Sequence, residues 1–207
     1  RMAAWDILQR IERSSEFADY VLDRAFSRNS DLSPLDRAYI SEIVLGTLRW
    51  RGRLDAVIGG ALKAGKKPDP RIVHLLRLGA YQILFLDRVP DSAAVNESVR
   101  LARAVFRSDK ISGFVNAVLR SISRNRDRDV FPSFDRNPAE HIEQALSHPK
   151  WLVERWMAEW GPETARDLCA ANNRRPPFTV RTNTLRISRE KLREQLAGFG
   201  ISASPTE

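Results

Sequence analysis

A single cysteine, Cys169, stands in a chain of 207 residues. One thiol excludes an internal disulfide and cannot by itself build a zinc site. Only three histidines accompany it, His74, His141 and His148, at spacings that match no metal-ligand pattern. His148, ahead of Pro149, reads as a helix-start residue. No apolar run nears the roughly 20 residues that cross a bilayer, and the opening RMAAWDILQRIE is an amphipathic repeat with acidic residues, unlike a secretory signal. The expected address is therefore cytoplasmic, with no membrane partner and no metal. A Gly-rich strand-to-helix turn for a nucleotide cofactor is missing as well, because GFG at 198–200 reads as the end of a helix.

What is present suits a folded, polyanion-binding protein. Hydrophobic residues make up 43% and charged residues 29% of the chain, enough for one domain plus part of a second. Lys and Arg outnumber Asp and Glu by 34 to 26, giving a net charge of +8, and nucleic acid is the first partner to expect.

The spacing is helical almost throughout. Ala4, Trp5, Leu8 and Ile11 form one stripe, and Val21, Leu22, Ala25 and Phe26 another. In SPLDRAYISEIVLGTLRWR, Ser33 is an N-cap, Pro34 takes the first helical position and Asp36 answers the exposed amides, with Leu35, Tyr39, Ile43, Val44, Thr47 and Leu48 along one face. DPRIVHLLRLGAYQILFL is apolar nearly all round, which places it at the centre of a bundle. Two further segments, DSAAVNESVRLARAVF and ISGFVNAVLRSISR, complete it. Each carries an asparagine among apolar neighbours, Asn96 and Asn116, and the expectation is that both bond to a neighbouring helix or loop, since a buried amide without partners is costly.

AAVNESVRLAR followed by FVNAVLR resembles the signature of the NusB family, the all-helical RNA-binding domain of a transcription antitermination factor. DRAYISEIVLGTLRWRGRLD and RLGAYQILFLDRVP are similar to the helices that precede it. The resemblance covers residues 1–128. Beyond it, a polar, proline-bearing connection leads into NPAEHIEQAL, capped by Asn137 with Glu140 at the reciprocal position, and HPKWLVERWMAEWG, with Leu152, Trp156 and Trp160 on one face. PETARDLCAANN adds a short helix in which Cys169 reads as a small buried apolar residue.

HPKWLVERW, ANNRRPP and FTVRTNTLRISREKLREQL together resemble the region that joins a NusB-like domain to the catalytic part of bacterial small-subunit ribosomal RNA cytosine methyltransferases, the Sun or RsmB family. The expected fold is all-α: a NusB-like bundle over 1–128, helical linkers over 129–172, and over 173–207 the first strand and helix of an incomplete α+β, RNA-recognition-like subdomain. Phe178 to Thr184 is expected as the strand, and Ser188 as the cap of a helix carrying Leu192 and Leu196.

The resemblance implies methylation of cytosine carbon 5, with S-adenosylmethionine as cofactor of the whole enzyme and a pair of cysteines as nucleophile and product-release group. The nucleophile must add at carbon 6 before carbon 5 takes the methyl group. One cysteine outside any matching motif leaves no catalytic, cofactor-binding or metal residue to name. The chain is thus expected to be the amino-terminal part of an enzyme whose catalytic domain is a separate portion, positioning small-subunit ribosomal RNA.

RNA contacts are expected from basic groups. Arg49, Arg51 and Arg53 cluster at a helix end; Lys63, Lys66 and Lys67 follow; Arg120, Arg124, Arg126 and Arg128 leave the last bundle helix. The resemblance adds Arg1, as the remnant of a longer basic arm. Arg181 joins them on the expected strand, beside Asn183. Two other readings stay open. A freestanding RNA-binding antitermination factor leaves the tail from His148 without purpose, and a helical protein-interaction module leaves the basic balance unexplained.

Overall fold

A computed structural model describes residues 1–14, 16–62, 67–128 and 130–206. Helices α1 (Met2–Arg13), α2 (Ala18–Ser27), α3 (Pro34–Arg49), α4 (Arg51–Ala61), α5 (Pro70–Phe85), α6 (Asp91–Phe106) and α7 (Asp109–Arg124) build a bundle. Helices α8 (Pro138–Ala145), α9 (Lys150–Trp160) and α10 (Pro162–Asn172) complete a compact unit, Arg1–Asn173. A second unit, Arg174–Glu207, contains α11 (Arg189–Gly198).

The bundle is organised round α5, which packs against α1, α3, α4, α6 and α7. Asp69 caps it by accepting from the Arg71 backbone N–H at 2.8 Å, and every residue from His74 to Ile83 is buried. Two glycines let neighbours approach. A Cβ on Gly46 of α3 would lie inside the Tyr81 ring, and one on Gly79 would come within 2.6 Å of a Leu119 methyl and 2.8 Å of Ser98 Oγ. Tyr81 stacks on Phe85 at 5.3 Å between ring centroids, and Phe85 in turn on Trp50 at 4.8 Å.

The expected stripes hold in α1 and α2, and the one in α3 holds from Tyr39 to Leu48 but loses its first member. Ile40, Ile43, Val44 and Thr47 are buried while Leu35 is 83% exposed. Each i to i+4 step carries a side chain about 40° round the axis, so Leu35, two such steps before Ile43, has left the buried face. The helix also breaks at Trp50, φ −98° and ψ 18°, so SPLDRAYISEIVLGTLRWR supplies α3 and the start of α4.

Asn96 and Asn116 correct a second expectation. Asn96 is exposed, and Asn116 accepts from Arg120 Nε of its own helix at 3.0 Å. Interhelical stitching falls instead to Gln82, whose Oε1 accepts from Arg1 Nε at 2.7 Å and Tyr39 Oη at 2.8 Å while its Nε2 donates to the Leu78 carbonyl at 2.8 Å.

Helices α8 to α10 have their own small core of Ile142, Val153, Ala165 and Cys169, with Trp156 and Met157 partly buried beside it. Val153 and Met157 replace the expected Leu152 and Trp160 on the packed face, and Trp160 is 46% exposed. This group joins the bundle through α4. Gly52 N–H donates to Ser147 Oγ at 2.7 Å, and Arg53 Nη1 donates to the Ala145 carbonyl at 3.1 Å.

In the second unit, Ser188 caps α11 as expected, accepting from the Lys191 N–H at 3.3 Å. The expected strand over 178–184 does not form among the described residues. A strand is defined by a ladder to a partner, and the residues of this unit offer none. Asn183 closes a local turn instead, its Oδ1 accepting from the Leu185 N–H at 3.1 Å. Phe178 and Leu185 are each 97% exposed, and α11 buries no residue.

Candidate nucleic-acid interface

A two-residue connection joins α6 to α7. Arg107 in the left-handed region, φ 48°, ends the first helix, and Ser108 caps the second. So tight a turn makes the helices antiparallel neighbours, and the start of α6 therefore faces the end of α7. Asp91, in the first turn of α6, complements the positive helix end. Its carboxylate also ties the pair together, with Oδ2 accepting from Ser123 Oγ at 2.6 Å and Oδ1 lying 3.9 Å from Arg126 Nη1.

Between these helix ends lies a groove of about 360 Å³. Val95, 3% exposed, is its apolar floor. Ser92 and Asn96 of α6 line one side, both exposed, and Arg120 and Arg124 of α7 the other. The arginines are four residues apart and share a helix face. Arg120 is held along α7 by its Nε bond to Asn116, while Arg124 has no side-chain partner among the described residues. The result is a concave site rich in donors, with an apolar base, able to hold an anionic group beside a flat ring.

The other basic residues divide into engaged and open ones. Arg51 forms a two-bond pair with Glu12 at 3.0 and 3.1 Å. Arg53 lies 4.9 Å from the Phe131 ring besides its bond to α8. Arg126 donates to the Ile83 carbonyl at 3.1 Å. The Arg1 guanidinium is drawn into the bundle by Gln82, by Glu97 at 3.5 Å and by the Tyr39 ring at 5.6 Å. Arg49, Lys67 and Arg128 are exposed, and Arg181 is exposed in the second unit. Lys63 and Lys66 lie outside the described residues. Sequence reasoning named Arg120 and Arg124 as candidates, which the structure brings to one groove, but treated Asn96 as structural and passed over Ser92. The signal available was their i, i+4 spacing, which puts them on one line of α6.

Two titratable groups are perturbed by burial. The Cys169 thiol is pushed up to about 11 by desolvation, which keeps it protonated and inert, as expected of a buried apolar residue. His74 is lowered from its ordinary value, chiefly by burial and then by the charge of Arg77. Among the described residues no three His, Cys, Asp or Glu side chains gather as a metal site, and no helix is long and apolar enough to cross a membrane.

Residues 1–124 match the model of the NusB family. The chain belongs to that family. The NusB resemblance carried by AAVNESVRLAR and FVNAVLR therefore holds across the bundle. Residues 148–207 match the ferredoxin-like domain of RsmF/B-like methyltransferases, so the resemblance of the tail holds too. Over 204 residues the chain is 34% identical to the probable ribosomal RNA small subunit methyltransferase B of Bacillus subtilis (strain 168), covering 97% of this chain and 44% of that protein. The protein of the same printed name from Synechocystis sp. is 35% identical over 206 residues, covering 99% and 45%. The chain spans somewhat under half the length of these relatives. The crystal structure of PH0851 shares the fold, with a TM-score of 0.62 at 20% identity over 100% of this chain and 45% of that one.

Proposed function

We propose that this chain is the RNA-binding amino-terminal part of an S-adenosylmethionine-dependent small-subunit ribosomal RNA cytosine-C5 methyltransferase, and that it positions the RNA for a separate catalytic portion. The observation that carries this reading is order. A NusB-family bundle is followed, on one chain, by a match to the ferredoxin-like domain of RsmF/B-like methyltransferases. A freestanding RNA-binding factor would leave the second match without purpose.

The division of labour follows from chemistry. The residues here do not fit S-adenosylmethionine: Gly198 lies in the last turn of α11 and Gly200 takes φ 73° just past it, so the glycines close a helix where a cofactor turn would open one. Cytosine attack needs a reactive thiol, and the one present is buried and protonated. On its own, then, the chain binds RNA and transfers no methyl group. Its basic surface supplies phosphate contacts, and cytoplasmic ribosomal RNA is the natural partner.

The test is binding of the 207-residue chain to small-subunit ribosomal RNA fragments across a salt series. Replacing Arg120, Arg124 and Arg128 with Ala should weaken binding and flatten log affinity against log salt by about 0.7 per lost contact to a single strand. Affinity that does not change with salt would overturn the reading. So would saturable binding of S-adenosylmethionine by this chain alone, measured by calorimetry.

A further inference from the structure

We propose that the groove between the start of α6 and the end of α7 receives one unstacked nucleotide of a single-stranded RNA, an assignment that rests on the RNA-binding reading above. Arg120 and Arg124 take its phosphate, while Asn96 reads the edge of its base above Val95.

Size argues for a nucleotide over a bare anion. The groove encloses about 360 Å³, within the roughly 300–1,000 Å³ typical of small-molecule sites, and a phosphate alone fills little of that. The lining has two kinds of chemistry. On the α7 side stand two cations on one helix face. Opposite them α6 begins at Pro90 without a side-chain cap, so the Asp91 and Ser92 N–H groups and the Ser92 hydroxyl add donors at a positive helix end.

The remaining residues are not what a phosphate needs. Val95 closes the base of the groove with an apolar side chain that gives a phosphate no partner. Asn96 offers both a donor and an acceptor, the pairing that recognises a base edge, and among the described residues its amide has no hydrogen-bond partner. The Asp91 carboxylate, which would repel a phosphate, is engaged by Ser123 and faced by Arg126. Bases can enter such a site only when splayed from a strand, as in sequence-specific recognition of single-stranded RNA.

Isotope-labelled chain would be titrated by NMR with each of the four ribonucleoside monophosphates, then with inorganic phosphate. RNA affinity would be followed by fluorescence anisotropy with a short mixed-sequence single strand. The monophosphates should move the Ser92, Val95 and Asn96 amide signals and the Asn96 side-chain amide, one base more strongly than the others, and should compete with the RNA. Arg124→Gln should weaken RNA binding and flatten the salt slope by about 0.7. Asn96→Ala should weaken it about five- to tenfold, as for one lost hydrogen bond, with the slope unchanged. Both variants should melt like the parent, since both side chains are exposed.

Inorganic phosphate displacing RNA as well as the monophosphates do would reduce the groove to an anion site and overturn the proposal. Tight RNA binding that ignores Asn96→Ala, with monophosphate shifts elsewhere, would overturn it while leaving the RNA-binding reading intact. No RNA binding at low salt would remove both.

Discussion

Arg77 of α5 and Asp55 of α4 meet in a two-bond ion pair, Nε to Oδ1 at 2.6 Å and Nη2 to Oδ2 at 2.8 Å, with the Arg77 side chain only 11% exposed. The arginine lies in the central helix among leucines, so the pair is what makes its charge tolerable there. Asp55 is 42% exposed, which softens the electrostatics. Asp55→Ala should still destabilise the bundle by about 2–4 kcal/mol, because it strands a buried cation. An apolar double replacement, Asp55→Leu with Arg77→Met, should recover much of that loss. Urea unfolding of the singles and the double reads both values, and equal stability of Asp55→Ala and parent would refute the argument.

His74 gives the bundle a dependence on pH. It is 5% exposed in α5 and lines a small cavity of about 10 Å³ with Thr47, facing Arg77 and Arg51 as well as Glu12 and Asp55. Burial, with the nearby arginines, holds its folded value below 6.5. As pH falls, the unfolded chain therefore takes up the proton first. Its contribution is fully present above about 6.5 and is lost as pH drops below that. Urea midpoints should decline from neutral to mildly acidic pH, and His74→Leu should flatten that part of the profile.

Glycines should separate by position. Gly46→Ala drives a methyl into the Tyr81 ring, which is held by stacking on Phe85 and by a 2.8 Å bond to Glu42. The expected cost is about 1–3 kcal/mol from overpacking. Gly113→Ala, in α7 with nothing within 4 Å of the added carbon, should instead stabilise by about 0.5–1 kcal/mol through helix propensity. Thermal melts of the two variants should move in opposite directions.

The second unit should exchange its amide hydrogens far faster than α5. Its apolar side chains Phe178, Leu185 and Phe199 are 97%, 97% and 82% exposed, so little tertiary packing holds the single helix, and a helix of 10 residues is marginal alone. Limited proteolysis should trim it first. Protection equal to that of α5 would mean that these side chains are buried in solution and would overturn the expectation.

Much of this architecture could be read from spacing alone. Ser33, Asn137 and Ser188 cap the helices they were expected to cap, because a cap is a local contract between a side chain and amides two or three residues on. The all-round apolar character of α5 likewise fixed its central place. What escaped was whatever depends on where a neighbour stands. Leu35 and Asn96 are exposed, Leu35 having turned off the packed face of α3 and Asn96 lining an open groove, and nothing local announces either. Arg1, Arg51 and Arg53 carry the same charge as Arg124. Only the tertiary partners Gln82, Glu12 and Ala145 distinguish bound arginines from open ones.

The seam at Gly52 also bears on how sequence length can vary. Ser147 adopts φ 59° to place its hydroxyl on the Gly52 amide, and a Cβ at Gly52 would come within 3.0 Å of the Glu143 carbonyl and 3.2 Å of Ser147 Cα. Residues added at Asp127 and Arg128, both exposed and ahead of the Phe131 and Phe134 contacts, would alter only the path between two anchored helices. A single residue inserted between Ala145 and Ser147 would instead shift the hydroxyl out of register with the amide and swing α9 away from α8. The tolerance of this chain to insertion therefore falls from high at the end of α7 to nearly nil at the seam, at a point that composition and polarity do not mark.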